Sequence, residues 1–170
     1  MAVYVITIII LLFIFFLKRI ITIIYIVNNP DSIRHMDNPS ILIQKLAVRL
    51  DSYCIGYITN PSEELQILAI KRDGRFIDYI AFPTEKVQLI AVKNNCYSIM
   101  DIDNPTEQAQ IEAINQDPFV IEHIENPSEK IQLLAIQKDW EVIEVLENPT
   151  KLVRLMASKK YRMTQVKVKI

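Results

Sequence analysis

The chain has 170 residues, of which 51% are hydrophobic and 23% are charged, and its formal net charge is −1. This length suits one ordinary domain with a sizeable core, and the apolar content excludes a disordered chain. The near-neutral charge does not indicate a nucleic acid or another strongly charged partner. Only two glycines are present, Gly56 and Gly74, which argues against glycine-rich phosphate loops and tight β-hairpins and favours helices.

The N-terminal segment has the composition of a membrane anchor. Residues 2–17, AVYVITIIILLFIFFL, contain no charge and one aliphatic hydroxyl group, that of Thr7, besides the phenol of Tyr4. As a helix this run reaches only about 24 Å, short of the ~30 Å hydrocarbon core, so residues 20–27 are needed to complete a span. We therefore predict a transmembrane helix over residues 1–27 that merges into the first repeat. The predicted anchor residues are Val3, Ile8, Leu11, Phe13, Phe16, Leu17, Lys18 and Arg19.

Two alternatives remain for this segment, a cleaved signal peptide and a buried core helix. A signal peptide is disfavoured because no basic region precedes the apolar run and no small-x-small cleavage site follows it. The basic pair Lys18-Arg19 lies C-terminal to the apolar run. By the positive-inside rule, we expect a single-pass protein whose body faces the cytoplasmic side.

Prolines then recur every 22 residues, at positions 39, 61, 83, 105, 127 and 149. The segments around them read NPSILIQKLAV, NPSEELQILAI, FPTEKVQLIAV, NPTEQAQIEAI, NPSEKIQLLAI and NPTKLVRLMAS. Self-similarity at a fixed period is typical of repeat architectures, and it predicts a repeat domain over residues 28–158. We number the residue before each of these prolines as repeat position 1.

The first half of each repeat carries the start signals of a helix. Asn at position 1 is a favourable N-cap, Pro at position 2 suits the first helical residue, and Glu at position 4 matches a capping box. Apolar residues at positions 6, 9, 10 and 11 have helical spacing and predict a helix A of roughly 11–12 residues. Position 10 is always Ala, which should let neighbouring layers approach closely.

Glutamine recurs at position 7 of the repeat. A residue present in every layer suggests a requirement of every layer, and we expect its amide to satisfy backbone groups in the adjoining turn. The alternative is an exposed recognition ladder. These residues are Gln44, Gln66, Gln88, Gln110 and Gln132, with Arg154 in the last repeat.

The second half of each repeat begins with Asn or Asp at position 14, a second N-cap. Apolar residues at positions 18 and 21 predict a short helix B of about seven residues. Asn29 and Pro30 extend this pattern backwards, so residues 18–27 occupy the place of a helix A. The membrane helix should therefore join the first layer without a linker. The residues at position 14 are Asn29, Asp51, Asp73, Asn95, Asp117 and Asp139.

A two-helix unit of this size cannot bury its own apolar faces, whereas stacking with its neighbours can. We predict an all-α fold, a right-handed α-solenoid of about six stacked two-helix repeats preceded by one transmembrane helix. The units resemble short α-solenoid repeats of the HEAT-like and leucine-rich-repeat-variant type through N-P-[ST]-E-x-[VIL]-Q-[IL]-x-A-[VI]. Similar arrays occur in bacterial, phage and large DNA virus proteins. The resemblance implies packing and protein binding, and it carries no catalytic residues.

No constellation in the sequence predicts catalysis or a cofactor. Cys54 and Cys96 occupy different repeat positions, so we expect reduced thiols rather than a disulfide, which weakly indicates a reducing compartment. His35 and His123 share a repeat position four layers apart and should be too distant to bind one metal. Hydrolase, kinase and dinucleotide motifs are absent from the sequence. We expect a non-enzymatic protein with no cofactor, metal or small-molecule substrate.

Charge is unevenly distributed along the repeats. Residues 100–148 contain twelve acids and two bases, whereas residues 149–170 contain seven bases and no acid. The acidic stretch predicts either a solvated face with helix caps or a docking strip for a basic partner. Residues 159–170 are predicted to form a basic cap or tail. The candidate partner-binding residues are Asp78, Asp101, Glu122, Glu141, Glu144, Lys159, Lys160, Arg162, Lys167 and Lys169.

These features favour a membrane-anchored scaffold that mediates protein–protein interactions close to a membrane. One specific form is a minor structural protein of a large virus that links an inner membrane to the capsid lattice of the virion. The alternative is binding of anionic lipid or nucleic acid through the basic C-terminal tail, and nucleic acid is the less favoured partner.

Overall fold

Helices account for all the regular structure in the part of the chain that the computed structural model describes, residues 1–168, with side chains for residues 1 and 3–163. Seven α-helices alternate with six short 3-10 helices (η), and no strand occurs within this range. The elements are α1 (Ala2–Asn28), η1 (Pro30–His35), α2 (Ile41–Leu50), η2 (Ser52–Tyr57), α3 (Glu63–Ile70), η3 (Gly74–Tyr79), α4 (Glu85–Asn94), η4 (Cys96–Asp101), α5 (Glu107–Gln116), η5 (Pro118–His123), α6 (Glu129–Lys138), η6 (Trp140–Glu144) and α7 (Lys151–Val168).

The chain divides into two compact units, Met1–Ala69 and Ile70–Ile170. In the first unit, α1 packs against η1 and α2, and α2 packs against η1 and η2. The C-terminal third of α1 makes this packing possible, since Ile26 is fully buried and Thr22 and Ile23 are half-buried. The other residues of α1 from Val3 onward are exposed.

In the second unit, packing follows chain order. Each α-helix from α4 to α6 contacts the next α-helix, and η3 to η6 contact one another in sequence. The contacts between an α-helix and the 3-10 helices on either side of it complete the core. Position 10 belongs to this core, because its alanines are at most 4% exposed: Ala91, Ala113, Ala135 and Ala157.

The α-helices begin later in the repeat than the sequence predicts. Thr84, Thr106 and Ser128 at position 3 are the N-caps, and each side-chain hydroxyl accepts from a backbone N–H three residues on. The prediction of an Asn N-cap and a Glu at the third helical position is therefore wrong, because Glu is the first helical residue. Glu still lies in the first turn, where the helix dipole favours a negative charge. Helices α2 to α6 have 8–10 residues, shorter than predicted, whereas α7 has 18.

The Asn-Pro pair belongs instead to the turn before the helix. Asn38, Asn60 and Asn126 have φ of 49°, 51° and 48°, the left-handed conformation that Asn tolerates better than other non-glycine residues. A residue with that backbone cannot cap the helix in the usual extended conformation. Ser128 is the cap after Asn126, and Thr106 is the cap after Asn104, which has no positive φ. The hydroxyl at position 3 therefore caps the helix with or without the left-handed turn.

Asn126→Ala should lower the free energy of unfolding by about 1 kcal/mol, because alanine has no side-chain compensation for a left-handed backbone. Asn104→Ala is the matched control, since Asn104 holds the same repeat position without a positive φ. Thermal unfolding followed by circular dichroism in detergent compares the two variants. Equal losses in both would show that the backbone conformation is not the cause.

The second cap is confirmed as predicted. The side chains of Asp51, Asp73, Asn95, Asp117 and Asp139 each accept a hydrogen bond from the backbone N–H two residues on. Helix B has five or six residues and is a 3-10 helix, somewhat shorter than predicted. Asn29 precedes η1 without such a side-chain bond.

The structural interpretation of the glutamine ladder is also confirmed. In each repeat the Nε2 group donates to the carbonyl of the proline five residues earlier, at 2.9–3.4 Å, and the Arg154 Nε does the same to Pro149. Two of the glutamines bind a second turn as well. The Gln88 Oε1 accepts from the Thr106 N–H at 2.8 Å, and the Gln132 Oε1 accepts from the Thr150 N–H at 3.2 Å.

Candidate functional site

The apolar part of α1 is the most exposed hydrophobic surface of the described chain. The segment Val3–Asn28 has a mean hydropathy of 2.6 and is long and apolar enough to cross a membrane. None of its most apolar 18-residue window is buried, which disagrees with the alternative of a core helix. The predicted apolar anchor residues are 46–74% exposed, and Lys18 and Arg19 are exposed beside them.

The five predicted acidic partner residues are all exposed, but the structure does not bring them into one cluster. Asp78 on η3 and Asp101 on η4 influence each other electrostatically. Glu122 on η5 lines a separate groove of about 510 Å³. Glu141 and Glu144 lie on η6, outside the lining of that groove.

The groove at Glu122 contains two acids that the sequence analysis did not select. Glu125 and Glu147 lie just before the next Asn-Pro turns, and both line the groove with Glu122 and His123. The 22-residue period could have identified these two acids as a pair, because Glu125 and Glu147 occupy the same position in consecutive repeats. The groove therefore presents three carboxylates at one junction between η5, η6 and the following turns.

Asp101→Asn should raise the melting temperature at neutral pH. The pKa of Asp101 is raised chiefly by partial burial and then by the charge of Asp78, while Arg75 lowers it. A carboxyl group with a raised folded-state pKa binds protons more tightly when folded, so its ionisation opposes folding above that pKa. The gain should be present at neutral pH and vanish as the pH falls below the ordinary range of aspartate.

Melting curves of wild type and Asp101→Asn at neutral and acidic pH measure this difference. Asp103→Asn, a neighbouring exposed carboxylate, is the control for general charge removal. A stabilisation by Asp101→Asn that persists unchanged at acidic pH would contradict the assignment.

The basic C-terminal residues that the structure describes lie on a single helix. α7 runs from Lys151 to Val168, so the helix continues across the predicted boundary between residues 158 and 159. Lys159 and Arg162 are exposed, whereas the Lys160 Nζ donates to the Gln137 carbonyl at the end of α6. Lys160 therefore has a structural contact. The side chain of Lys167 and the whole of Lys169 lie outside the described residues.

A second feature of the α-helices was not selected from the sequence. Position 8 carries a half-buried aliphatic residue on α4, α5 and α6, and an exposed one, at 63%, on α7. We call this set the aliphatic strip, and it consists of Leu89, Ile111, Leu133 and Leu155. Between α5 and α6 it borders a groove of about 480 Å³ lined by Ile111, Leu133 and Leu134. The motif already shows Ile or Leu after the glutamine, but periodicity alone cannot distinguish a core position from a partly exposed one.

Both cysteines are free thiols. Burial, and to a lesser extent Asp51 and Asp31, raises the pKa of Cys54 to about 11. The pKa of Cys96 is also raised, chiefly by burial and then by Asp117. A raised pKa leaves little thiolate at neutral pH, so neither side chain is suited to act as a nucleophile. Comparison with models of known families, with curated proteins and with solved structures gives no match to this chain.

Proposed function

We propose that the chain is a non-enzymatic, membrane-anchored repeat scaffold that binds protein partners close to a membrane. The observation that supports this most directly is the join between α1 and the packed body. α1 ends at Asn28 and η1 begins at Pro30, so Asn29 alone separates them. A flexible stalk needs a linker of many residues, and a join this short holds the body beside the lipid.

The proposed body is a right-handed α-solenoid of about six repeats of the HEAT-like type. Sequential packing of α4 to α7 and the recurring glutamine and aspartate bonds support this arrangement. In a stack of equivalent units, one repeat position recurs along one face. Such a face suits an elongated partner, which contacts each layer through the same chemistry.

The aliphatic strip is the proposed partner-binding face. Its residues are too exposed to serve the core alone, and Leu155 is 63% exposed at the end of the row. The ion pair between Lys130 and Glu107 lies beside the groove, which gives the apolar centre a polar margin as in many protein interfaces. The partner chemistry that fits is an amphipathic segment with an apolar row.

The orientation and setting are part of the same proposal. Lys18 and Arg19 follow the apolar run, which favours a body on the cytoplasmic side. The specific form of the hypothesis remains a link between the inner membrane and the capsid of a large virus. It rests on the resemblance of the repeats, and detection of the chain in purified particles tests it.

A photoreactive amino acid placed at Leu133 in the full-length chain tests the partner face in native membranes. We expect a discrete adduct at Leu133 and none at Asn115, an exposed control site on α5. Leu155→Glu should weaken the adduct, whereas Ser158→Glu on the same helix should not. Adducts at both sites, or none at Leu133, would remove the proposed interface.

The second candidate function, binding of anionic lipid or nucleic acid through the basic end of α7, is supported by the exposure of Lys159 and Arg162. The Lys160 Nζ already donates to the Gln137 carbonyl, so its ammonium group is less available to a ligand. Binding of vesicles or oligonucleotides that is unchanged after deletion of residues 159–170 would exclude this function.

A further inference from the structure

The first unit contains a groove where α1 meets the start of α2. Its volume is about 640 Å³, and residues of α1 line it on one side. The turn before α2 and the first residues of α2 line the other side. The lining residues that matter here are Phe15, Lys18, Arg19, Asp37 and Leu42.

The position of the groove along α1 coincides with the end of the apolar run. Phe15 belongs to that run, and Lys18 and Arg19 follow it directly. If α1 spans a bilayer, as the proposed function requires, the part of α1 from Thr22 onward that packs against η1 and α2 lies outside the hydrocarbon. Lys18 then lies at the level of the lipid phosphates, because charged residues at the ends of a span reach for the headgroups. The bilayer thins to match the apolar run, instead of residues 20–27 completing the span. The groove then opens at that level.

The charges in the groove favour an anion. Lys18 and Arg19 are exposed, and neither side chain has an ion-pair partner within residues 1–168. Asp37 is the acid among the lining residues, so the two cations exceed it by one. A guanidinium and an ammonium that line one groove can both bind a phosphate, the first through paired N–H donors and the second as a point charge. Asp37 can accept a hydrogen bond from a headgroup hydroxyl.

The start of α2 departs from the repeat pattern at the place where lipid would touch it. Positions 4 and 5 are Ile41 and Leu42, which are 67% and 48% exposed. In the next four repeats the same positions hold Glu-Glu, Glu-Lys, Glu-Gln and Glu-Lys. Exposed apolar residues beside a basic pair are typical of a surface seated at the lipid interface.

We propose that this groove binds an anionic glycerophospholipid. Lys18 and Arg19 hold its phosphate, and Phe15, Ile41 and Leu42 contact its acyl chains. The bound lipid fastens α2 to the membrane surface at a second point beside α1. This proposal rests on the insertion of α1 that the proposed function assumes.

Native mass spectrometry of the full-length chain, purified in detergent with equimolar phosphatidylglycerol and phosphatidylcholine, tests the site. Wild type should retain phosphatidylglycerol in preference. Lys18→Gln and Arg19→Gln should each weaken that retention about tenfold, the expected loss of one charge-assisted hydrogen bond. Arg49→Gln, an exposed cation of α2 outside the groove, should change nothing.

A second variant tests the apolar half of the site. Ile41→Glu with Leu42→Lys installs the Glu-Lys pair that Glu129 and Lys130 form in a later repeat, so it should fold as well as wild type by circular dichroism. We expect it to lose phosphatidylglycerol selectivity. Full selectivity in this variant or in Lys18→Gln and Arg19→Gln would overturn the proposal.

Three further outcomes distinguish failure of the proposed membrane insertion, failure of the lipid site and binding of a ligand other than lipid. Release of wild type from phosphatidylcholine vesicles by alkaline carbonate would refute membrane insertion and with it the proposed function. Stable insertion with equal retention of both lipids would refute the lipid site alone. Displacement of phosphatidylglycerol by soluble glycerol phosphate would show that the groove binds phosphate esters in general, and would overturn the assignment to lipid.

Discussion

Gly74→Ala should lower the free energy of unfolding by about 2–3 kcal/mol, a typical cost of overpacking a closed core. Gly74 is buried at the start of η3. An added Cβ would stand 2.4 Å from the Ala91 carbonyl oxygen and 2.7 Å from the Ser98 Oγ. The first of these atoms is backbone of α4, which cannot move without disturbing the helix. The substitution must therefore separate η3 from α4 and η4.

Gly56→Ala is the matched control for this prediction. Gly56 is exposed on η2 and has no positive φ, so alanine there should be neutral or slightly stabilising through a less flexible unfolded chain. Both variants can be compared with wild type by thermal unfolding at 222 nm in detergent. A melting temperature for Gly74→Ala as high as that of Gly56→Ala would disprove the close approach of η3 and α4.

Gln132→Leu should lower the free energy of unfolding by about 3 kcal/mol, because it removes both partners of one buried amide. The Gln132 Nε2 donates to the Pro127 carbonyl at 3.0 Å, and its Oε1 accepts from the Thr150 N–H at 3.2 Å. The side chain is only 6% exposed, so water cannot readily replace it. Leucine matches its size but leaves a carbonyl and an N–H without a partner.

Substitution of two other glutamines shows how the loss of stability depends on burial and hydrogen bonding. Gln110 donates to the Pro105 carbonyl and is half-buried, so Gln110→Leu should cost less than Gln132→Leu. Gln108 is exposed on the same helix, and Gln108→Leu should leave stability nearly unchanged. Chemical unfolding of the three variants gives the order. Equal stabilities for Gln132→Leu and Gln108→Leu would show that the amide does not support the turns.

The alternation of longer and shorter helices could be predicted because its signals are local. Asp and Asn at position 14 are good N-caps, and the Asp117 side chain caps η5 as expected, whereas that of Asn29 makes no such bond. The first cap was assigned to the wrong residue because Asn, Ser and Thr are all good caps. Ser128 and Thr106 are the caps although Asn126 has a positive φ and Asn104 does not, and composition does not show at which residue the turn ends and the helix begins.

Little of the candidate partner site could be predicted, because exposure depends on which faces meet. Leu133 and Leu134 are adjacent aliphatic residues of one helix, and the sequence does not show that both border an open groove. The acidic residues also show that the sequence does not reveal which side chains share a surface. Glu122 was predicted as a partner-binding residue and Glu125 was not, yet both line one groove. The contact of Lys160 with Gln137 likewise depends on how α7 packs against α6, which the sequence does not show.

The shared glutamine bond bears on how such a chain can change its length during evolution. Gln88 reaches Thr106 and Gln132 reaches Thr150, in each case 18 residues further on. Duplication or loss of a whole 22-residue segment brings another proline turn to the same distance from the same amide. An insertion of any other size inside that interval moves the threonine N–H away from the glutamine Oε1 to which it donates. Gain or loss of complete units is therefore the mutational route that conserves these buried bonds.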